Sequence, residues 1–180
     1  MPVPTTASIA AAAALLITVG SLAGCSEAPS QFAPACPQLS LLRDAADLTR
    51  FRPGGRDLTD MVTDARITAI PASCTYADRG TVRAKLGVTM QITRGPAAEG
   101  RSASVPYFLA VTEGERVLDE QDYAVNTIFP TNVDTVTANG QEITLNLPVT
   151  PDKSAAAYKI YVGFRLDAED LDYNRRRGPR

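Results

Sequence analysis

Val82-Arg-Ala-Lys-Leu-Gly-Val-Thr-Met-Gln-Ile-Thr93 is the stretch that decides the fold. Val82, Ala84, Leu86, Val88, Met90 and Ile92 are apolar, and Arg83, Lys85, Gly87, Thr89, Gln91 and Thr93 between them are polar or small. Successive side chains of a strand point to opposite faces, so this alternation predicts a strand with one buried face and one wet face. Upstream, Met61, Ala65, Ile67 and Ala69 form an apolar side on odd positions, whereas Cys74 and Tyr76 continue on even ones. The change of phase falls around Pro71, which cannot donate to a ladder, and predicts a β-bulge.

Other strand signals extend in both directions. Ser102 to Thr112 is apolar on both phases, with Val105, Tyr107, Leu109 and Val111 against Phe108 and Ala110, as suits a strand near a sheet centre. Thr112-Glu-Gly-Glu115 is a turn, and Val117 to Phe129 returns as one bent strand or two short ones. Asn139-Gly140 between two alternating runs predicts a hairpin. In the last strand, Ala157 to Leu166, one face carries Tyr158, Ile160, Val162, Phe164 and Leu166. Asp167 suits the N-cap of a single helical turn over Ala168 to Tyr173. Cys36 to Phe51 reads as strand or irregular edge, and Arg52-Pro-Gly-Gly-Arg56 as a turn. Seven or eight strands at even spacing point to an immunoglobulin-like or Greek-key β-sandwich, with a small β-barrel as the alternative. Asp152, six residues before Tyr158, adds the pattern of a tyrosine corner.

Ahead of this domain, Ile9 to Gly20 is apolar and ends in Leu22-Ala23-Gly24-Cys25. The run is roughly half as long as a membrane-spanning helix requires, and small residues follow it, as at a signal-peptide cleavage site. The n-region departs from that pattern, since Met1 to Ser8 carries no Lys or Arg. The four residues resemble the lipobox of bacterial lipoproteins. The resemblance implies removal of residues 1–24, acylation of Cys25 by palmitate-type chains, and a cell-envelope location. Ser26, where no Asp stands, implies sorting to the outer membrane, facing the periplasm. The expected organisation is a signal peptide (1–24), a Pro/Ser-rich tether (25–35), a β-sandwich domain (36–173) and a basic tail (174–180) that is disordered or surface-bound. With Cys25 assigned to lipid, Cys36 and Cys74 remain as an even pair and predict a disulfide, the form favoured outside the cytosol.

Composition excludes several functions. The 18 basic and 20 acidic residues nearly cancel, which argues against a nucleic-acid partner. The chain has no His, so a Ser-His-Asp or Cys-His arrangement cannot form. A Ser-Lys dyad would draw on Lys85, Lys153 or Lys159, and only Lys153 has an adjacent Ser, Ser154. Asp119-Glu-Gln-Asp122 and the run Asp167, Glu169, Asp170, Asp172 have the groups for acid/base chemistry or calcium, and equally suit solvated turns and a helix start. No cofactor or metal site is expected.

Binding candidates lie on the wet side of the last strand, where Lys159, Tyr161 and Arg165 fall in line around Gly163. Tyr and Arg are enriched at interface hot spots. Gly163 would admit close approach of another backbone or mark a bulge. Arg175, Arg176 and Arg177 have the charge to meet lipid phosphates or an acidic partner. Cys36-Pro37, Gly55-Arg-Asp-Leu-Thr-Asp-Met61, Cys74-Thr-Tyr76, Gly163-Phe-Arg-Leu166 and Tyr173-Asn-Arg175 together resemble an uncharacterised family of small proteobacterial lipoproteins. That resemblance implies an envelope location and no functional residue. The reading at this stage is a lipid-anchored, non-catalytic protein-interaction or assembly module with an envelope protein partner. A periplasmic small-ligand or glycan binder is the first alternative, and a carboxylate-based hydrolase the second.

Overall fold

The alternating stretch forms one long strand bent in the middle, and the sandwich is built round it. In the computed structural model, which describes residues 34–180 apart from 79 and 179, the strand runs as β5 (Thr81–Leu86) and β6 (Thr89–Arg94). All six apolar positions from Val82 to Ile92 are at most 2% exposed. The strands before them are β1 (Gln38–Leu41), β2 (Asp47–Phe51), β3 (Met61–Ala69) and β4 (Ala72–Tyr76). Those after are β7 (Ser102–Glu113), β8 (Arg116–Ile128), β9 (Thr135–Asn139), β10 (Ile143–Pro148) and β11 (Tyr158–Phe164), followed by helix α1 (Ala168–Arg177).

Three pairs of strands are halves of longer ones. β3 pairs with β6 and β4 with β5, while β9 pairs with β6 and β10 with β5. The halves meet at a common bend, where Gly87 N donates to Pro71 O (2.9 Å) and Gly140 N to Val88 O (2.8 Å). One layer is therefore β2, β3/β4, β6/β5 and β9/β10; the other is β1-β11-β7-β8. Counted this way the sandwich has eight strands, at the top of the expected range. The shift of register between Ile67 and Ala69 is the bulge foreseen from the phase change ahead of Pro71. The two layers close on one core, to which Leu48, Met90, Tyr107, Ile160 and Phe164 contribute.

Asn139-Gly140 is not a hairpin. The chain runs straight through it from β9 to β10, because both strands follow the bent central strand and neither pairs with the other. Gly140 is needed for another reason: a Cβ there would collide with the Tyr107 hydroxyl and ring. Cys36 to Phe51 is resolved into two short strands in opposite layers, joined by a 3-10 turn at Arg43–Ala45.

The connections are those of a Greek key. β5/β6 lies between β3/β4 and β9/β10, and β7 lies between β8 and β11. Immunoglobulin-type sandwiches place strand B between A and E, and C beside F, in the same way. The position of strand G is taken here by β1, which pairs parallel with β11. Tyr158 opens β11, and its hydroxyl donates to Pro148 O at 2.7 Å, closing a tyrosine corner across the crossover from β10. Among the described residues the β1-β11-β7-β8 layer keeps free edges at β1 and β8, so the domain is a sandwich and not a closed barrel. Cys36 and Cys74 form a disulfide with Cα atoms 5.8 Å apart, tying the segment before β1 to β4. Cys25, expected to carry lipid, the expected signal peptide and most of the expected tether lie outside the described residues.

The C-terminal helix is longer than a single turn. Asp167 caps it, its carboxylate accepting from Asp170 N at 2.8 Å. It then continues through Asn174 to Arg177, residues expected in a tail. Asn174 Nδ2 donates to Asp44 O (2.9 Å) and Asp47 O (2.6 Å), and each arginine of the last turn finds a carboxylate. Cations also suit that end of the helix dipole. The basic tail is thus surface-bound, with Arg180 reaching Asp47 and Asp64.

Candidate functional site

Lys159, Tyr161 and Gly163 lie in register on the outer face of β11, opposite Thr112, Ala110 and Phe108 of β7. No register shift occurs there, so Gly163 marks no bulge. It admits close approach from its own chain: an added Cβ would lie 2.9 Å from the Ala45 methyl and 3.2 Å from the Phe108 ring. Arg165, just past the strand, spreads across the sheet. Its guanidinium sits 4.5 Å from the Phe108 ring centre, and it donates to Asp122 (Nε to Oδ1, 2.7 Å) and Glu120 (Nη2 to Oε1, 2.7 Å). Two carboxylates and a ring therefore hold one arginine in a single pose.

The three helix arginines diverge. Arg175 pairs with Asp44 (3.0 Å), Arg176 with Asp172, and Arg177 with Thr49 (3.1 Å) and Asp47 (3.4 Å). They form no common cradle for a phosphate. One of them does join the β11 candidates, for Arg165 and Arg175 line the same shallow depression of about 460 Å³, with Ala45, Phe108, Phe164 and Leu171 beneath. The sequence separates these two arginines by ten residues, and the docking of α1 brings them to one surface.

The acidic runs are also divided. Pleating sends Glu120 and Asp122 to the outer face, where Arg165 takes both, while Asp119 and Gln121 point the other way. Among the second run, Asp167 caps the helix, Glu169 meets Arg56 at 2.9 Å and Asp172 meets Arg176. Lys153 contacts Glu113 at 2.6 Å and lies over the Tyr158 ring. Hydrogen bonding to Glu113, then to Tyr158, raises its pKa, the wrong direction for a general base. Among the described residues, no three acidic or cysteine side chains converge as a metal site.

A second concavity had no warning in the sequence. Between α1 and the Arg52–Arg56 turn lies a cavity of about 540 Å³, lined by Arg50, Phe51, Arg52, Arg56, Asp170 and Tyr173 among others. Phe51 and Tyr173 meet edge to face, with ring centres 5.2 Å apart. Arg52 is paired with Asp60, and Arg56 with Glu169. Asp170 is buried, its Oδ2 has no hydrogen-bond partner, and Arg50 Nε stands 3.7 Å away. Burial pushes its pKa up and the Asp167 carboxylate adds to this, against the pull of Arg50. Arg52-Pro-Gly-Gly-Arg56 signalled a turn and nothing of the helix that would face it.

No family model, curated protein or solved structure matches the chain.

Proposed function

We propose that the protein is a lipid-anchored envelope module that works by binding another protein, without catalysis. The depression between Arg165 and Arg175 supports this reading. Its apolar floor, flanked by two arginines that are already ion-paired, suits an aromatic or aliphatic side chain of a partner. Arg165 is pre-organised by Glu120, Asp122 and Phe108, so little side-chain entropy is lost when a partner packs against it. Tyr161 and Lys159 extend the same face along β11. The anchor is read from the resemblance of Leu22 to Cys25 to a lipobox, with acyl chains on the Cys25 sulfur holding the domain at the outer membrane.

Two measurements test the parts separately. Growing cells fed an alkyne-bearing palmitate should label the chain, and a Cys25→Ser variant should not be labelled; an unlabelled parent chain overturns the anchor. A photoreactive phenylalanine analogue at Leu171 should capture one discrete protein species in intact cells, whereas the same analogue at Thr144, on the opposite layer, should not. Recovery of an unpartnered monomer alone from the Leu171 position overturns the interaction reading.

A further inference from the structure

We propose that the cavity between α1 and the Arg52–Arg56 turn binds a neutral saccharide, whose hydroxyls bridge Arg50 and Asp170 and whose C–H face rests on Phe51 and Tyr173. The site is separate from the Arg165–Arg175 depression, and the proposal does not depend on membrane anchoring.

Size and shape come first. A concavity of about 540 Å³ is within the range of small-molecule sites. One wall is held in place, because α1 is tied down by both hydrogen bonds of the Asn174 amide and by the pairing of Arg177 with Asp47. A site fixed before binding loses little entropy on closing round a ligand.

Charge then selects the ligand. Four arginines line the cavity, and three of them, Arg52, Arg56 and Arg176, already hold Asp60, Glu169 and Asp172. An anion would have to displace those carboxylates, and a cation would face the arginines. Arg50 and Asp170 remain, too far apart to hydrogen-bond each other at 3.7 Å. The buried Asp170 Oδ2 therefore lacks the partner that burial makes necessary.

A hydroxyl group answers both needs, since it donates to a carboxylate oxygen and accepts from a guanidinium. A row of hydroxyls on one ring adds further contacts at the polar rim. The edge-to-face pair Phe51–Tyr173 supplies apolar surface beside these groups, against which the C–H face of a pyranose packs. Hydroxyl-bearing edge and apolar face on one small neutral ring are the properties of a sugar.

Calorimetric titration of the full chain, held in a detergent without sugar headgroups, tests the idea with cellobiose, N,N′-diacetylchitobiose and trehalose as probes. At least one should bind with a dissociation constant near 1 mM or tighter, that is, about −4 kcal/mol. Arg50→Gln and Tyr173→Leu should each weaken that probe by about tenfold, the loss of one buried hydrogen bond or one packed ring. Asp170→Asn should weaken it as well, and Arg165→Ala should leave it unchanged. Arg50 faces the buried Asp170, so the thermal midpoint of Arg50→Gln is read beside its binding, and Tyr173→Leu carries the test if that variant unfolds. Sedimentation with purified cell-wall sacculi separates a polymer-bound sugar from a free one, and retention lost in Arg50→Gln supports the site equally. The proposal is overturned if no probe and no sacculus binds, if binding survives Arg50→Gln and Tyr173→Leu, or if inorganic phosphate occupies the cavity in preference to every sugar.

Discussion

Asp47 and Arg165 each stand at the centre of a cluster of arginines and carboxylates, one inside the molecule and one on its surface. The Asp47 side chain is 7% exposed and receives Arg66 Nε at 2.8 Å, Arg180 at 3.1 Å and Arg177 at 3.4 Å. The Arg165 side chain is 41% exposed and divides itself between Glu120 and Asp122, both open to water. The chemistry is the same and the consequences differ. A pair in water is screened by salt and adds about 0–1 kcal/mol, whereas removing one member of a buried set leaves uncompensated charge. The first cluster holds α1 to the sandwich; the second presents an arginine in a fixed pose to whatever approaches.

The largest effect should follow from Asp47→Ala. It takes the shared carboxylate from three part-buried arginines, of which Arg180 keeps Asp64 and Arg177 keeps Thr49, and unfolding in urea should show a loss of about 3 kcal/mol. A change below 1 kcal/mol would mean that water already screens the site and would erase the contrast. Asn174→Ala comes next. It orphans two carbonyls, Asp44 O and Asp47 O, and at about 1 kcal/mol for each hydrogen bond the loss should be about 2 kcal/mol. Amide exchange in α1 should accelerate with it, because the helix is released from β2.

Depth also separates what could be read from the chain from what could not. The buried face of Val82 to Ile92 was legible because period two is a local property and the core selects it directly. Tyr158 and its corner were legible for the same reason, with partners ten residues apart. Asn139-Gly140 misled, since a short-range turn signal was overruled by the bent central strand that both flanks follow. The helix was cut short at Tyr173 because its last turn depends on Asp44 and Asp47, about 130 residues earlier. The cavity at Arg50 was invisible on the same ground: its walls come from a turn and a helix that no local pattern connects. Lys159, Tyr161 and Arg165 were correctly seen to share one side of β11, but nothing local revealed that Glu120 and Asp122 would take hold of Arg165.

The pH dependence of two carboxyls sharpens the comparison further. Asp170, inside, is raised above 3.8 by burial and by Asp167, so the folded chain keeps a proton that the unfolded chain releases. Stability should therefore fall as pH rises through that window, and the deficit should persist at neutral pH. Asp170→Asn should be more stable than the parent at pH 7 and equal to it near pH 3. Glu113 has the opposite sign. Hydrogen bonds from Lys153 and then Arg116 hold its carboxyl below 4.5, so its contribution is present above that pH and is lost as pH falls through the folded pKa. Glu113→Gln should therefore lower the thermal midpoint at neutral pH, measured in low salt, and converge with the parent at the acid end, so that the acid limb of the stability curve flattens.

The smallest effect on folding should come from Arg165→Ala, and it is the most telling. An exposed pair of this kind contributes at most about 1 kcal/mol, and that difference should shrink as salt is raised and the Debye length falls to a few ångströms. Capture of the partner through Leu171 should fall by about tenfold in the same variant, as expected for an anchor arginine. Glu120→Gln with Asp122→Asn distinguishes the two roles of Arg165. That pair keeps the arginine and frees its side chain, so capture should weaken only through lost pre-organisation. If the double variant captures as well as the parent while Arg165→Ala does not, the carboxylates are mere neighbours and the charge itself is what the partner reads. If both lose capture, Glu120 and Asp122 belong to the recognition surface as the supports that hold Arg165 in place.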